Sequence, residues 1–422
     1  MTMPASDPVA ALRHLFDTAV RHAAPATTLA DHLPPPPKGR TLVIAAGKAA
    51  ASMAAATENV WPADAPLSGI ALTRYDHGEP CTRVEVLEAA HPVPDDSGFH
   101  AAQRILNDVA ELGEDDLLLC LISGGGSSLL AAPADGITLE EKKALNKSLL
   151  MSGAPIGEMN AVRKHVSAVK GGRLAQRAHP ARVVTLAISD VPHDDPSTIA
   201  SGPTVPDPTT LADARAIVAR YGMELAPSIN KRLSESAAET PKPNDPIFAK
   251  TELHMIATPG VVLEKTVADM GHSWGTIVSL GADLEGEARD MGRAHAMMAI
   301  TARGPSTIVS GGESTVTVER GAACGRGGRN CEYLLALAIA LDGAPGIWAI
   351  AADTDGIDGS EDNAGAIVTP DTLARAQALG MVPQAMLNTH DAYTFFERLG
   401  DLVITGPTRT NVNDFRAIYI KA

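Results

Sequence analysis

The sequence predicts an α/β protein, with a largely parallel sheet in a first domain and a second α/β domain after it. Three observations carry this. Short, continuous apolar runs recur along the 422 residues. Each run stops abruptly at Gly, Ser, Asp or Lys, and a helix-like segment often follows. Runs of this kind, bounded by turns, read as strands buried on both faces.

In chain order, the first run, Thr41 to Ala46, ends at Gly47-Lys48, where an Ala-rich helix begins. Leu117 to Ile122 ends at Ser123 and three glycines, and Val183 to Ile188 ends at Ser189-Asp190. Ser306 to Val309 ends at Ser310-Gly311-Gly312-Glu313, Ile347 to Ala352 at Asp353-Thr354-Asp355-Gly356, and Leu402 to Thr405 at Gly406-Pro407. In such sheets ligands sit beyond the carboxyl ends of the strands, which is where this chain gathers its Gly, Asp and Lys residues. The segment from Leu33 to Gly39, with four consecutive prolines, reads as a stiff connector between an N-terminal helix and the first strand. The segment Thr240 to Pro246, with three prolines, reads as a linker, giving domains over 1–245 and 246–422.

Composition narrows the function classes. Lys and Arg total 35 against 50 for Asp and Glu, a net charge of −15. A surface of that sign repels nucleic acid and anionic membranes. The 6 Phe, 3 Trp and 5 Tyr residues are too few for base-stacking platforms. No nucleic-acid or membrane partner is therefore expected, and a small anionic ligand is, provided that basic residues gather at one place. Cys81, Cys120, Cys324 and Cys331 form no CxxC spacing, which reads as free thiols in a reducing compartment. Met1 to Arg21 holds no apolar core of a signal peptide, and the expected location is cytoplasmic. The sequence leaves the oligomeric state open, a homodimer included.

Four motifs could carry chemistry. Gly47-Lys48 follows a strand and opens a helix, a place that attracts anions. It is not a Walker A loop: Leu42 stands where the first Gly is required and Ala49 where Ser or Thr is required. Ser123-Gly124-Gly125-Gly126-Ser127-Ser128 can bring backbone amides and hydroxyls up to an oxyanion. The dinucleotide fingerprint fails there, because Leu129 takes its last position, and again at Gly325 to Asn330. The string Asn160 to Arg173 places Val162, Val166 and Val169 on one helical face, with Gly171-Gly172 as the expected stop. Its Arg163, Lys164, Lys170 and Arg173 form a cationic cluster suited to phosphate or carboxylate. Finally, Asp190, Asp194 and Asp195 crowd one strand end, and Asp353, Asp355 and Asp358 another. Such loops suit a hard divalent cation or a proton acceptor, as well as ordinary caps and turns. Anion-binding and acidic loops together suggest phosphoryl transfer. The 13 histidines give no zinc spacing, and no nucleophile elbow surrounds Ser123 or Ser127.

Longer strings carry a resemblance. AAGKA at 45–49, HPVPD at 91–95, ISGGGS at 122–127, NAVRKHVSAVKGGRLA from Asn160 and SDVPHDDPSTIASGPTVPDPTT from Ser189 are similar to those of glycerate 2-kinases of the MOFRL-containing family. So are LEGEAR, GGESTVTV, GGRNCE, DTDGIDG and GPTRTNVND further on, and the likeness runs from about Ala45 to Asp414. The resemblance implies a Rossmann-like first domain, a second MOFRL domain and an active site in the cleft between them. It implies a transferase that moves the γ-phosphoryl group of ATP to the 2-hydroxyl of D-glycerate, with Mg²⁺ or a similar divalent ion, giving 2-phosphoglycerate and ADP. Relatives, notably in tartrate-degradation clusters, are often labelled hydroxypyruvate reductases, and an NAD(P)H-dependent reductase is the alternative. The missing nicotinamide fingerprint argues against it.

The family's leading catalytic candidates map to Lys48 and Arg329. To these the sequence adds Asp190 as the group that orients or deprotonates the glycerate hydroxyl, with Asp195 second. Gly47, Ser123, Gly124, Gly125, Gly126, Ser127, Glu313 and Asn330 are expected around the nucleotide. Arg163, Lys164, Lys170 and Arg409 are expected on the substrate, and Asp353 and Asp355 on the metal. Three positions depart from the family pattern: His193 stands for a usual Gly, Cys331 for Gln, and Arg409 for a frequent Gly.

Overall fold

The computed structural model describes residues 6–318 and 324–421. The chain forms two compact units, one of residues 25–256 and one of residues 1–24 with 257–422.

The first unit is built on strands β1 (Thr41–Ala46), β2 (Leu67–Arg74), β3 (Val84–Ala89), β4 (Leu117–Ile122), β5 (Arg182–Ile188) and β6 (Thr251–Ala257), in the order β3-β2-β1-β4-β5-β6. The pairs β2–β3, β1–β2, β1–β4 and β4–β5 are all parallel. Every residue of β1 and of β4 is buried, which is why these runs carry no polar residue except Thr41 at the edge. The order reverses between β1 and β4, so the chain leaves these neighbouring strands in opposite directions and opens a crevice at their carboxyl ends. That crevice takes the turns at Gly47 and Ser123. A separate apolar cluster, including Leu145, Leu149, Met159, Val162, Ile217 and Leu233, binds the helices Leu139–Met151, Ile156–His165, Leu211–Arg220 and Pro227–Ser234 together.

The expected boundary at residue 245 moves. β6 joins the first sheet, so the division follows Ile256, and the Pro-rich stretch at 240–246 lies inside the first unit. Its Thr240 hydroxyl donates to buried Asp207 at 3.0 Å. The N-terminal helix Pro8–Ala23 moves as well. It buries Leu12, Leu15, Phe16 and Ala19 in the second unit, and Phe16 meets Phe415 at 6.4 Å between ring centroids.

The second unit holds β7 (Thr276–Ser279), β8 (Leu284–Glu287), β9 (Ser306–Ser310), β10 (Gly312–Thr315), β11 (Ile347–Asp353), β12 (Gly365–Val368), β13 (Leu402–Val403) and β14 (Asp414–Ile420). Its main sheet runs β13-β12-β11-β14-β9-β7. Only β7–β9 is parallel in it; β11 pairs antiparallel with β12 and β14, and β14 antiparallel with β9. The helix Arg329–Leu341 covers this sheet and is buried along nearly its whole length. Its apolar residues, Leu334, Leu335, Leu337 and Leu341, sit in the same cluster as Ala349, Ala351 and Ile418 of the sheet.

Candidate active site

In the first unit the two switch-point turns are locked to each other. The amides after β1 are consumed internally: Gly47 donates to the Leu72 carbonyl at 3.2 Å, Lys48 to the Gly124 carbonyl at 2.8 Å and Ala49 to the Ser123 hydroxyl at 3.0 Å. Gly47 has φ +130°, and a Cβ there would stand 2.2 Å from Ser123 Oγ. Gly47 is thus needed for close approach of two turns, and its turn offers no amide cradle of its own. This corrects its expected role as a phosphate contact. The half-buried Lys48 side chain stands beside the next turn, where the Gly124 and Gly125 amides donate to no described residue. Gly125 has φ +82°, and a Cβ there would stand 3.0 Å from His91 Nε2 and 3.5 Å from Lys48 Cγ.

Beside this turn lies a cavity of about 600 Å³ lined by His91, Val93, Ser127, Lys142, Arg163 and Lys170 among others. Arg163 donates to Asn146 Oδ1 at 3.1 Å and to Asn160 Oδ1 at 3.4 Å. Lys170 is 3% exposed. Its amine donates to the Ser127 carbonyl at 2.8 Å, to Ser201 Oγ at 3.3 Å and, more closely, to Ser127 Oγ. Burial, together with the like charges of Lys142, Arg163 and Lys164, holds the Lys170 ammonium well below the ordinary lysine range. Lys164 behaves differently from expectation. It does not line this cavity, and its amine pairs with Asp207 at 3.2 Å with both groups buried. The expected helix through residue 170 also stops early, at His165. Ser167 takes the backbone out of the helix by pairing with Pro133, and its hydroxyl accepts the amides of Val169 and Lys170. Gly171 and Gly172 then lead into a new helix, Arg173–Ala178, rather than closing the old one.

The loop after β5 is strained. His193, Asp194, Ala200 and Ser201 all hold φ between 48° and 61° without being glycine. Within it the two candidate bases separate. Asp195 accepts from the Ser197 amide at 2.9 Å, the Ser197 hydroxyl at 2.8 Å and the Thr198 hydroxyl at 2.8 Å. Partial burial opposes its charge, but these bonds outweigh it and leave the carboxyl below its ordinary value. A carboxylate so occupied is a turn cap and a poor base. Asp190 is half-buried and lies two residues beyond the end of β5.

The second unit gathers the other candidates. Arg329, at the start of its helix, donates to Asp414 Oδ1 at 2.9 Å, Glu313 Oε1 at 2.5 Å and Asp353 Oδ2 at 2.7 Å. Burial disfavours the guanidinium charge, yet Asp414, Asp353 and Glu313 outweigh that and push its pKa up. Asp353 Oδ1 accepts the Asp355 amide at 3.0 Å, and Asp355 Oδ1 accepts the Ile357 amide at 2.8 Å. The oxygens are hard donors of the type that Mg²⁺ takes. Arg329 nevertheless stands where an ion would, and no cluster suited to a metal occurs among the described residues. The Asp353 and Asp355 assignment as a resident metal site therefore does not fit. Asn330 is corrected too: it is fully buried, with its amide on Asp414 at 2.8 Å and Asp358 at 3.4 Å, out of reach of a nucleotide. Arg409 lies at φ +60° in a loop held to the acidic turn, where the Thr408 amide donates to the Asp355 carbonyl at 3.0 Å.

Asp358, grouped by sequence with Asp353 and Asp355, is instead a helix cap. Its two oxygens accept the Asn330 and Cys331 amides, each at 2.9 Å, and so cap the Arg329 helix. Complete burial, with Asp414 nearby, raises its carboxyl from 3.8 to about 6. A raised folded-state pKa means that the fold favours the protonated group. That contribution is full below about pH 3.8 and is lost as pH rises through about 6. In urea unfolding, Asp358→Asn is expected to destabilise by roughly 1–3 kcal/mol through donor–donor conflict at the Cys331 amide. The gap to wild type should narrow from pH 4 to pH 6 and stay level above it. A gap independent of pH would disprove the titration.

Two family models match the chain: a domain of unknown function, DUF4147, over residues 11–234, and the MOFRL family over residues 306–414. The chain is 40% identical to a D-glycerate 2-kinase of Thermotoga maritima over 383 residues, covering 89% of each protein. It is 55% identical to a putative hydroxypyruvate reductase of Agrobacterium vitis over 417 residues, covering 97% of this chain and 94% of that protein. The crystal structure of a glycerate kinase from Thermotoga maritima superposes with a TM-score of 0.87 at 37% identity, covering 97% of this chain and 98% of that one.

Proposed function

From a chain that belongs to the MOFRL-containing glycerate kinase family, we infer a phosphotransferase that uses ATP, as its magnesium complex, to phosphorylate D-glycerate on the 2-hydroxyl, giving 2-phosphoglycerate and ADP. The observation that carries this reading is the gathering of cations in a chain of charge −15: Lys142, Arg163 and Lys170 share one cavity with the Ser123–Ser128 turn. Phosphoryl transfer asks mainly for positioned positive charge around oxygens that gain charge in the transition state.

In this reading Lys48 and Arg329 neutralise the transferred group, and the metal enters with the nucleotide as substrate. Arg163 and Lys170 hold oxyanions. Asp190 orients the glycerate hydroxyl or takes its proton. Asp190→Asn is expected to lower kcat more than tenfold, roughly 1.4 kcal/mol in the barrier. Asp195→Asn should instead cost about 1 kcal/mol of stability by losing a turn cap, with kcat within a fewfold of wild type. Steady-state kinetics beside urea titrations separate the two; equal losses of kcat would reject Asp190 as the distinct base.

The name of the Agrobacterium vitis relative favours a second reading, reduction of hydroxypyruvate by a nicotinamide. The turn after β1 reads Gly47-Lys48-Ala49-Ala50, without the glycines that such a cofactor's pyrophosphate needs. One experiment decides. Incubated with ATP, Mg²⁺ and D-glycerate, the protein should yield 2-phosphoglycerate by phosphorus NMR and leave NADH unchanged with hydroxypyruvate. NADH consumption without phosphoglycerate would reverse the assignment.

A further inference from the structure

We propose that the cavity of the first unit is the nucleotide site, and that Lys142, at its inner wall, is a specificity-determining cation for the nucleotide's polyphosphate. The proposal rests on the kinase reading and says which of its two substrates this cavity takes.

Lys142 lies on the helix Leu139–Met151, begun by a capping box in which Thr138 and Glu141 satisfy each other's amides. Leu139, Leu145 and Leu149 of that helix are buried. Lys142 falls in the same stripe, at 6% exposure, while its neighbour Lys143, which also lines the cavity, is paired with Glu140 at 2.8 Å. The Lys142 amine has no hydrogen-bond partner among the described residues. The other inner cations are engaged: Arg163 on Asn146 and Asn160, Lys170 on Ser127 and Ser201. Burial first, and the charge of Arg163 second, press the Lys142 pKa from 10.5 down to about 8. A buried ammonium with no counter-charge is costly to keep, and an oxyanion arriving in the cavity removes the cost.

Size and wall chemistry choose the ligand. Glycerate is a three-carbon acid with one negative charge, and most of a cavity of about 600 Å³ would stay empty around it. A nucleotide triphosphate brings several charges to match Lys142, Arg163 and Lys170, with Lys147 at the rim. Its base needs apolar contact, and Pro92, Val93, Pro94 and Leu150 supply it on the same cavity.

The test is calorimetric titration of the whole protein with the magnesium complex of AMP-PNP, with inorganic tripolyphosphate and with D-glycerate. Lys142→Met keeps the side chain's length and removes an unpaired charge, so folding should survive it. It is expected to raise the Kd of AMP-PNP and of tripolyphosphate at least tenfold and leave that of D-glycerate within twofold. Leu150→Ser, at a position 65% exposed, is a second variant that folding tolerates. It should weaken AMP-PNP severalfold and leave tripolyphosphate, which has no base, unchanged. If Lys142→Met weakens D-glycerate and spares AMP-PNP, the nucleotide assignment is overturned while the kinase reading stands. If it changes neither ligand, the role of Lys142 is overturned. If wild-type protein binds no AMP-PNP at all, the kinase reading itself fails.

Discussion

Lys48→Met is expected to lower kcat by about 10²–10³-fold, or roughly 3–4 kcal/mol, the loss typical of removing one charge-stabilising donor from a transition state. The position separates chemistry from folding. The Lys48 backbone is tied on both sides, by its amide on the Gly124 carbonyl at 2.8 Å and its carbonyl under the Thr73 hydroxyl at 3.5 Å. Methionine keeps both bonds and nearly the same length of apolar stem, which packs near Gly125. Thermal unfolding should therefore stay close to wild type while turnover collapses. KM for glycerate should change less than kcat, because an interaction formed mainly in the transition state shows in kcat. Rapid-quench or coupled-assay kinetics on the variant, beside its melting curve, check this. Near-normal turnover would remove Lys48 from the mechanism.

Much of this was readable in the residue order. Strands β1, β4 and β5 are continuous apolar runs because both faces of the sheet are covered, and their ends mark the crevice. Lys170 and Arg163 were visible as rare cations crowded in an acidic chain. Three things were hidden, each for a physical reason. Lys142 looks like one more lysine in Glu140-Glu141-Lys142-Lys143. Only its spacing of three from Leu139 and from Leu145 puts it on the apolar stripe, a signal that the sequence does contain. The early end of the helix at His165 comes from a bridge that pairs Ser167 with Pro133, thirty-odd residues back, through the Ala134 amide on the Val166 carbonyl and the Ala168 amide on the Ala132 carbonyl, which no local pattern encodes. The mainly antiparallel second sheet was masked because its inner strands are covered on both faces: β14 is buried from end to end and β11 everywhere but at Trp348, so neither shows one solvent-facing side.

Arg329→Met should produce the second large effect, and here stability and catalysis fall together. The guanidinium faces three carboxylates of unequal need. Glu313 is 45% exposed at its side chain and relaxes into water when left alone. Asp414 keeps Arg416 at 2.5 Å and Asn330 at 2.8 Å. Asp353, 6% exposed, accepts the Asp355 amide, and Arg329 is its paired cation at 2.7 Å. One buried carboxylate thus loses its counter-charge, and the expected cost is about 3 kcal/mol, the low end for breaking a buried pair. Turnover should fall by roughly 10³-fold or more, as when an arginine that meets a transferred phosphoryl group is removed. The two losses are separable. Asp353→Asn on top of Arg329→Met removes the stranded charge, so the double variant should regain most of the lost stability in urea unfolding and none of the lost kcat. Recovery of turnover along with stability would make Arg329 a counter-ion for the acidic loop and nothing more. Recovery of stability alone would leave charge on the transferred group as its remaining task.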